Sequence, residues 1–377
     1  MVRARPSRTQ APEQPATVPD AIGRPLDEVP TPALVLDLAA ARRNIQTMAG
    51  RMDALSAALR PHVKAHKSAE LARMQLDAGA IGVTTATVAE CVAMVRAGVP
   101  DVLVANQVVP PASIARVVGA ARHARVRVAV DDEDNLVALG RAAVGAGAEL
   151  GVLVELDVGL GRGGSRSVDQ AVRLAEHAAA TPGVVFDGLM GYEGHCAGEP
   201  DPAVRAREAL RSMDRLATTA DRCLEAGLEV GIVSAGSTGT FEVTGNARAV
   251  TEVQAGSYVF MDVFHEPLAE GFEFALTVAA TVTGRHGDLL VLDAGRKAVG
   301  VDLRPPRPSD TGATLAFVHE EHAGLRYDGD PPHAVGDRVR LVPGYAPTTV
   351  NLFGAYHVVL DGMVVDVWPV LARHGTS

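Results

Sequence analysis

Lys64 lies in Arg60-Pro61-His62-Val63-Lys64-Ala65-His66-Lys67, where four other basic residues crowd one lysine. A mostly apolar run (Ala58, Leu59, Val63) leads into it, and a helical pattern opens at Ser68. This spacing puts Lys64 near the carboxyl end of a strand, before a strand-to-helix turn. In α/β barrels such ends carry chemistry. A lysine among like charges and partly desolvated loses proton affinity and becomes an amine nucleophile able to form a Schiff base. The same octapeptide also reads as a basic, anion-binding loop.

The elements that must position this lysine follow from a recurring unit: an apolar strand, a polar or Gly-containing turn, then an Ala-rich amphipathic helix. Strands are expected near 58–64, 81–86, 102–106, 126–131, 151–157, 186–192, 229–234 and 250–255. Helices fit between them, among them Thr87–Ala97, Glu133–Val144, Val168–Ala180 and Ala203–Ala226. Eight such repeats predict an α/β fold, a (β/α)8 TIM barrel. A doubly wound open sheet is the alternative, weakened by the lack of a G-x-G-x-x-G turn after the first strand.

From about Phe272 the pattern changes. Leu276–Thr283, Leu289–Asp293, Thr314–His319, Arg338–Val342, Tyr356–Asp361 and Met363–Val367 predict a C-terminal all-β domain. Thr31–Asp37 reads as a strand ending in a helix N-cap at Asp37, and it can pair with that domain. The expected layout is a disordered extension over 1–22, a strand segment over 23–37, a barrel over 38–270 and a β-domain over 271–377.

Composition narrows the class of protein. The chain has 377 residues, 47% hydrophobic and 21% charged, so a large core is expected. A net charge of −10 argues against a general nucleic-acid binder. No apolar run is long enough for a membrane span. Cys91, Cys196 and Cys223 form neither a disulfide framework nor a zinc pattern, which suits the cytoplasm. The first segment has no apolar h-region of a signal peptide.

In a barrel, the carboxyl ends of the strands face one mouth. Those ends bring Lys64, then Asn106 and Gln107, then Asp157 with the turn Gly159-Leu160-Gly161-Arg162-Gly163-Gly164. Tyr192, Glu193 and His195 follow, then Ser234–Thr240 and Gln254–Tyr258. The last two loops are the usual barrel phosphate site, and Gly236, Ser237, Thr238, Gly239, Gly256 and Ser257 suit it. A lysine facing such a cradle suggests pyridoxal phosphate. Arg162 beside the ring nitrogen would only donate and so keep that nitrogen unprotonated. His195 can act as a general acid or base, or position Tyr192.

With these residues in place, the chain resembles the fold-type III pyridoxal phosphate enzymes of the alanine racemase-like barrel group. The branch it resembles holds D-threonine aldolase, 3-hydroxy-D-aspartate aldolase and D-serine dehydratase. The likeness rests on TPALVLD (31–37), RPHVKAHK (60–67), ANQVV (105–109), GLGRGG (159–164), GYEGH (191–195), SAGSTGTFE (234–242), TEVQAGSYVFMD (251–262), LDAGRKA (292–298), HEEH (319–322) and PTTVNL (347–352). It implies a homodimer with shared active sites and a small amino-acid substrate. It implies Lys64 as the Schiff-base lysine, with Lys67 the neighbour most easily mistaken for it. It implies Arg162 near the pyridine nitrogen and Tyr192 near the ring. Phosphate contacts are expected from Ser237, Thr238, Gly239, Gly256 and Ser257, with Tyr258 beside them in the cofactor site.

The resemblance also implies a departure. Family members carry a His-x-Asp or His-x-Cys metal pair just before T-V-N-L, and those positions are Tyr345 and Pro347 here. The expectation is therefore pyridoxal phosphate without a divalent metal. The activity implied is a retro-aldol lyase with Tyr345 or His195 in place of the metal-bound base. A metal-independent racemase or epimerase, with Tyr345 as second base if it reaches the partner's site, is one alternative. A D-serine dehydratase-like ammonia-lyase and a non-catalytic cofactor carrier are the others.

Overall fold

The computed structural model describes residues 21–373 of the chain. Residues 1–20 of the expected extension lie outside the described residues. The chain enters through β1 (Ala33–Asp37), whose first four residues are buried. Asp37 ends the strand and caps the helix Leu38–Met52, its Oδ1 accepting from Ala40 N–H at 2.9 Å. That helix buries Ile45, Met48 and Met52, spaced three and four apart on one face.

The barrel follows. Its strands are β2 (Ala58–Leu59), β3 (Val83–Thr85), β4 (Asp101–Gln107), β5 (Arg125–Val130), β6 (Leu150–Glu155), β7 (Val184–Met190), β8 (Ile232–Ala235) and β9 (Glu252–Val253). They pair in parallel in the order β2-β9-β8-β7-β6-β5-β4-β3. A parallel bridge between His62 and Thr84 joins the two ends, with Thr84 N–H donating to Pro61 O at 2.8 Å. The βα turns are capped repeatedly. Ser68, Thr87, Asp132, Ser167 and Asp201 each accept a backbone N–H from the first turn of the helix they precede.

Leu103, Ala129, Leu153 and Met190 pack together inside the barrel. Toward the amino-terminal ends of the strands the filling is ionic. Arg60 binds Asp101 and Glu252 (2.8 Å to the latter), and Arg127 binds Asp101 and Asp187, both at 2.7 Å. β2 is shorter than the expected 58–64. Pro61 has no N–H for the ladder, and the chain tightens into a 3-10 turn at Val63–Ala65.

The remaining strands are β10 (Leu276–His286), β11 (Leu289–Leu292), β12 (Arg307–Pro308), β13 (Ala313–Val318), β14 (Ala323–Tyr327), β15 (Arg338–Val342), β16 (Ala355–Leu360) and β17 (Met363–Pro369). With β1 they form a nine-stranded sheet, in which β1 lies antiparallel to β10 and parallel to β16. The HEEH segment is the turn between β13 and β14, closed by His319 N–H to His322 O at 2.8 Å. Among the described residues, no helix is long and apolar enough to cross a membrane.

Candidate active site

Lys64 stands on the 3-10 turn just beyond β2 and lines a cavity at the carboxyl ends of the barrel strands. Burial is the first cause of its lowered proton affinity and Arg162 the second, while Glu90 acts in the opposite sense. The four like charges expected from the octapeptide are not the cause. Arg60 is spent on Glu252 and Asp101. Lys67 donates to buried Glu90 and to Ala372 O (3.3 Å). His62 and His66 are held neutral by burial, His66 lowered to about 4. The chain packed these groups with partners, so desolvation and one distant guanidinium act on Lys64 instead.

Beside Lys64, in the strand order β2-β9-β8, lie the loops after β8 and β9, which line the same cavity. Buried Glu193 ties the first loop down. It accepts from Gly236 N–H (3.2 Å), Thr240 Oγ1 (2.6 Å) and Thr244 Oγ1 (2.7 Å). Thr240 Oγ1 accepts from Ser237 N–H (3.0 Å), and Thr238 Oγ1 from Tyr258 N–H (3.2 Å), which joins the two loops. Gly236 has φ +86° and Gly256 sits where a Cβ would lie 2.4 Å from His62 O, so neither position admits a side chain without a shift. The backbone N–H groups of Thr238, Gly239, Gly256 and Ser257 have no acceptor among the described residues. Such a set of free donors is an anion site.

Arg162 reaches over this cavity from the Gly-rich turn after β6. Asp157 Oδ1 shapes that turn by accepting from Gly159 and Gly161 N–H at 3.0 and 2.9 Å. The Arg162 guanidinium lies 5.6 Å from the Tyr192 ring centroid and 4.0 Å from Glu155 Oε1. Burial pushes Glu155 up from the ordinary carboxylate range and keeps the Tyr192 phenol protonated.

The far wall holds Tyr345 and His265. Tyr345 caps the short helix Ala346–Asn351, which carries Pro347 in its first turn, and it enters the cavity of its own chain. Its hydroxyl is pushed up to about 12 by burial, with Asp262 and Asp302 adding to it. The ring stacks on His265 with centroids 5.8 Å apart and planes at 23°. Asp262 Oδ1 lies 2.8 Å from His265 Nδ1.

The structure thus gathers Lys64, Arg162, Tyr192, Ser237, Thr238, Gly256, Ser257 and Tyr345 around one cavity. Other candidates lie elsewhere. Gly239 lines the neighbouring cleft. His195 is exposed and packs on Gly159, where an added Cβ would sit 2.7 Å from its ring. The Tyr258 hydroxyl is buried and accepts from Gln75 Nε2 at 2.8 Å. Sequence reasoning listed Glu193 but missed its role, and it missed His265 and Asp262. The Asp-x-x-His spacing, which brings a carboxylate and an imidazole onto one turn, was the available signal.

These residues fit pyridoxal phosphate: an amine of reduced basicity, a guanidinium lining the same cavity, and free N–H donors for a phosphate. His62 Nδ1, buried and without a partner in the lining, adds one polar atom a ligand can satisfy.

Comparison with known proteins agrees. Residues 36–263 match the family described as alanine racemase, N-terminal domain, and 275–359 match a serine dehydratase domain. D-threonine aldolase of Arthrobacter sp is 39% identical, covering 93% of this chain and 94% of its own. 3-Hydroxy-D-aspartate aldolase of Paracoccus denitrificans is 35% identical, covering 94% and 95%. The crystal structure of D-threonine aldolase from Filomicrobium marinum superposes with a TM-score of 0.91 at 36% identity, covering 94% of this chain and 99% of that one.

Proposed function

The chain belongs to the alanine racemase-like family of fold-type III pyridoxal phosphate enzymes, and from there we propose that it is a lyase of the D-threonine aldolase type. It cleaves a D-β-hydroxy-α-amino acid into an amino acid and an aldehyde. The observation that carries this reading is the single cavity in which Lys64, the two donor loops and Arg162 converge.

Bound pyridoxal phosphate supplies an aldehyde for amines and an electron sink beside Cα. The protein supplies the rest. Lys64 provides the tethering amine, and its burial keeps a larger share of it unprotonated near neutral pH. The N–H groups of Thr238, Gly256 and Ser257, with the Ser237 hydroxyl, would hold the phosphate. Arg162 would serve the cofactor's ring as a donor that gives up no proton. Tyr345, protonated at neutral pH, donates a hydrogen bond to the substrate.

The reaction on this reading needs no divalent ion. Tyr345 and Pro347 hold the positions of the family's metal pair; a proline side chain has no donor atom, and a neutral phenol is a poor ligand. Family likeness also supports a homodimer, which light scattering tests.

Purified holoenzyme incubated with D-threonine, D-serine and D-alanine discriminates the activities. The expected result is glycine and acetaldehyde from D-threonine. A keto acid and ammonia instead would make it a dehydratase, and an epimerised amino acid a racemase or epimerase.

A further inference from the structure

We infer that His265, oriented by Asp262, is the base that takes the proton from the substrate's β-hydroxyl. The inference rests on the lyase reading and supplies the group that reading lacks.

Asp262 is wholly buried, and every one of its contacts serves orientation. Oδ1 lies 2.8 Å from His265 Nδ1 and also accepts the His265 backbone N–H at 2.8 Å. Oδ2 accepts the N–H of Ala346 at 2.8 Å. A carboxylate at Nδ1 places the ring proton there, which leaves Nε2 as the lone-pair end. Nε2 has no hydrogen-bond partner among the described residues, and the ring lines the cavity that contains Lys64. Tyr345 on one face and Phe264 at the edge (5.0 Å, 83°) lock the ring plane. The backbone beneath is pinned too: Val263 and Phe264 N–H donate to Pro343 O (3.1 Å) and Gly344 O (3.2 Å).

Location strengthens the case. Ala346, whose N–H Asp262 accepts, stands between Tyr345 and Pro347. The carboxylate–imidazole pair therefore occupies the neighbourhood of the family's metal pair. The other candidates are still protonated at neutral pH, too weakly basic or misplaced. Tyr345 holds its proton to about 12, burial keeps His62 far from protonation, and His195 is outside the cavity lining.

The step balances without a co-reactant. The β-hydroxyl proton moves to Nε2, the Cα–Cβ bond breaks, and the β-carbon leaves as an aldehyde. The bonding pair stays at Cα, which takes up a proton to complete the amino acid product. His265 is a catalytic residue in this scheme and Asp262 a positioning residue.

The test uses the holoenzyme and its His265→Asn, Asp262→Asn and Asp262→Glu variants. His265→Asn should lower kcat for D-threonine cleavage by about 10²–10⁴-fold. Its affinity for D-alanine, which has no β-hydroxyl, should stay within about twofold when read from the cofactor absorption, since the imidazole contacts only the β-substituent. Histidine ¹⁵N spectra should show His265 as the Nδ1–H tautomer in the parent and in Asp262→Glu, and lose that preference in Asp262→Asn. If the parent cleaves D-threonine but His265→Asn keeps more than half of its kcat, the base assignment fails and the lyase reading stands. A parallel collapse of D-alanine binding makes His265 structural and overturns the assignment. If the parent releases no aldehyde, both readings fall together.

Discussion

Replacing Lys67 by methionine separates the two lysines of one octapeptide. Lys67 Nζ donates to Glu90 Oε1, with side chains only 5% and 2% exposed. Glu90's other oxygen accepts just one backbone N–H, that of Ala86, at 2.7 Å. Methionine keeps most of the stem volume but leaves Glu90 as a buried anion with that one donor. Breaking a buried pair from one side costs about 3–5 kcal/mol. In Lys67→Met/Glu90→Gln no charge is stranded and the amide oxygen can still accept from Ala86. Most of the loss should return, a coupling of about 3 kcal/mol, at the upper end for residues in contact. Urea unfolding of the apoprotein at pH 7 measures it. Borohydride reduction and peptide mapping of Lys67→Met should still find the cofactor on Lys64. A single-mutant loss under about 1 kcal/mol would refute the stranded-charge argument, since that is the range of an exposed pair. Loss of the label from the Lys64 peptide in Lys67→Met, or label on Lys67 in the parent, would refute the division of labour.

Three further outcomes are expected. Lys64 has a lowered pKa in the fold, so below that value the folded state bears a desolvated ammonium; stability should rise with pH through that window to the ordinary 10.5 and then level. Lys64→Met apoprotein should accordingly resist urea better than the parent at pH 7, with the gap closing toward pH 10.5, and Arg162→Ala should close only part of it because burial is the larger cause. Glu193→Leu strands three donors, each costing about 1–3 kcal/mol, and dialysis should show pyridoxal phosphate held at least about tenfold more weakly. Activity should survive exhaustive chelation and gain nothing from Mn2+ or Zn2+; full loss with EDTA and recovery with Mn2+ would return the reaction to metal chemistry.

Much of the barrel is readable because strands buried on both faces need unbroken apolar runs. Val128–Val130 and Leu150–Val154 show them plainly, while Arg127 breaks the run at the start of β5. β2 and β9 are harder: each is two residues long, and their pairing continues through irregular bonds such as Arg60 N–H to Val253 O at 2.9 Å. β14 was missed because Ala323–Tyr327 carries a glycine and an arginine among its five residues. In the site, Lys64, Arg162 and the donor loops could be read from type and spacing. The meaning of Arg60, Lys67 and Glu193 could not, because each is decided by a partner far along the chain. His265 differs: its orienting carboxylate, Asp262, is three residues away, and what the sequence hides is only that Tyr345 stacks on the ring.

β1 has a bearing on how the polypeptide is made. Val35 faces Thr277 on one side and His357 on the other, so this strand leaves the ribosome long before either neighbour exists. Domains tend to fold as units in order of synthesis, and pairing across such sequence separations is slow. The barrel can close while an apolar strand of four buried residues waits beside it. Expressed alone, residues 271–373 would lack the middle strand of their sheet and present two open edges, a template for aggregation. A permuted chain with residues 23–37 joined after the last strand would make that pairing local, and the β-domain would then become a fragment able to fold by itself.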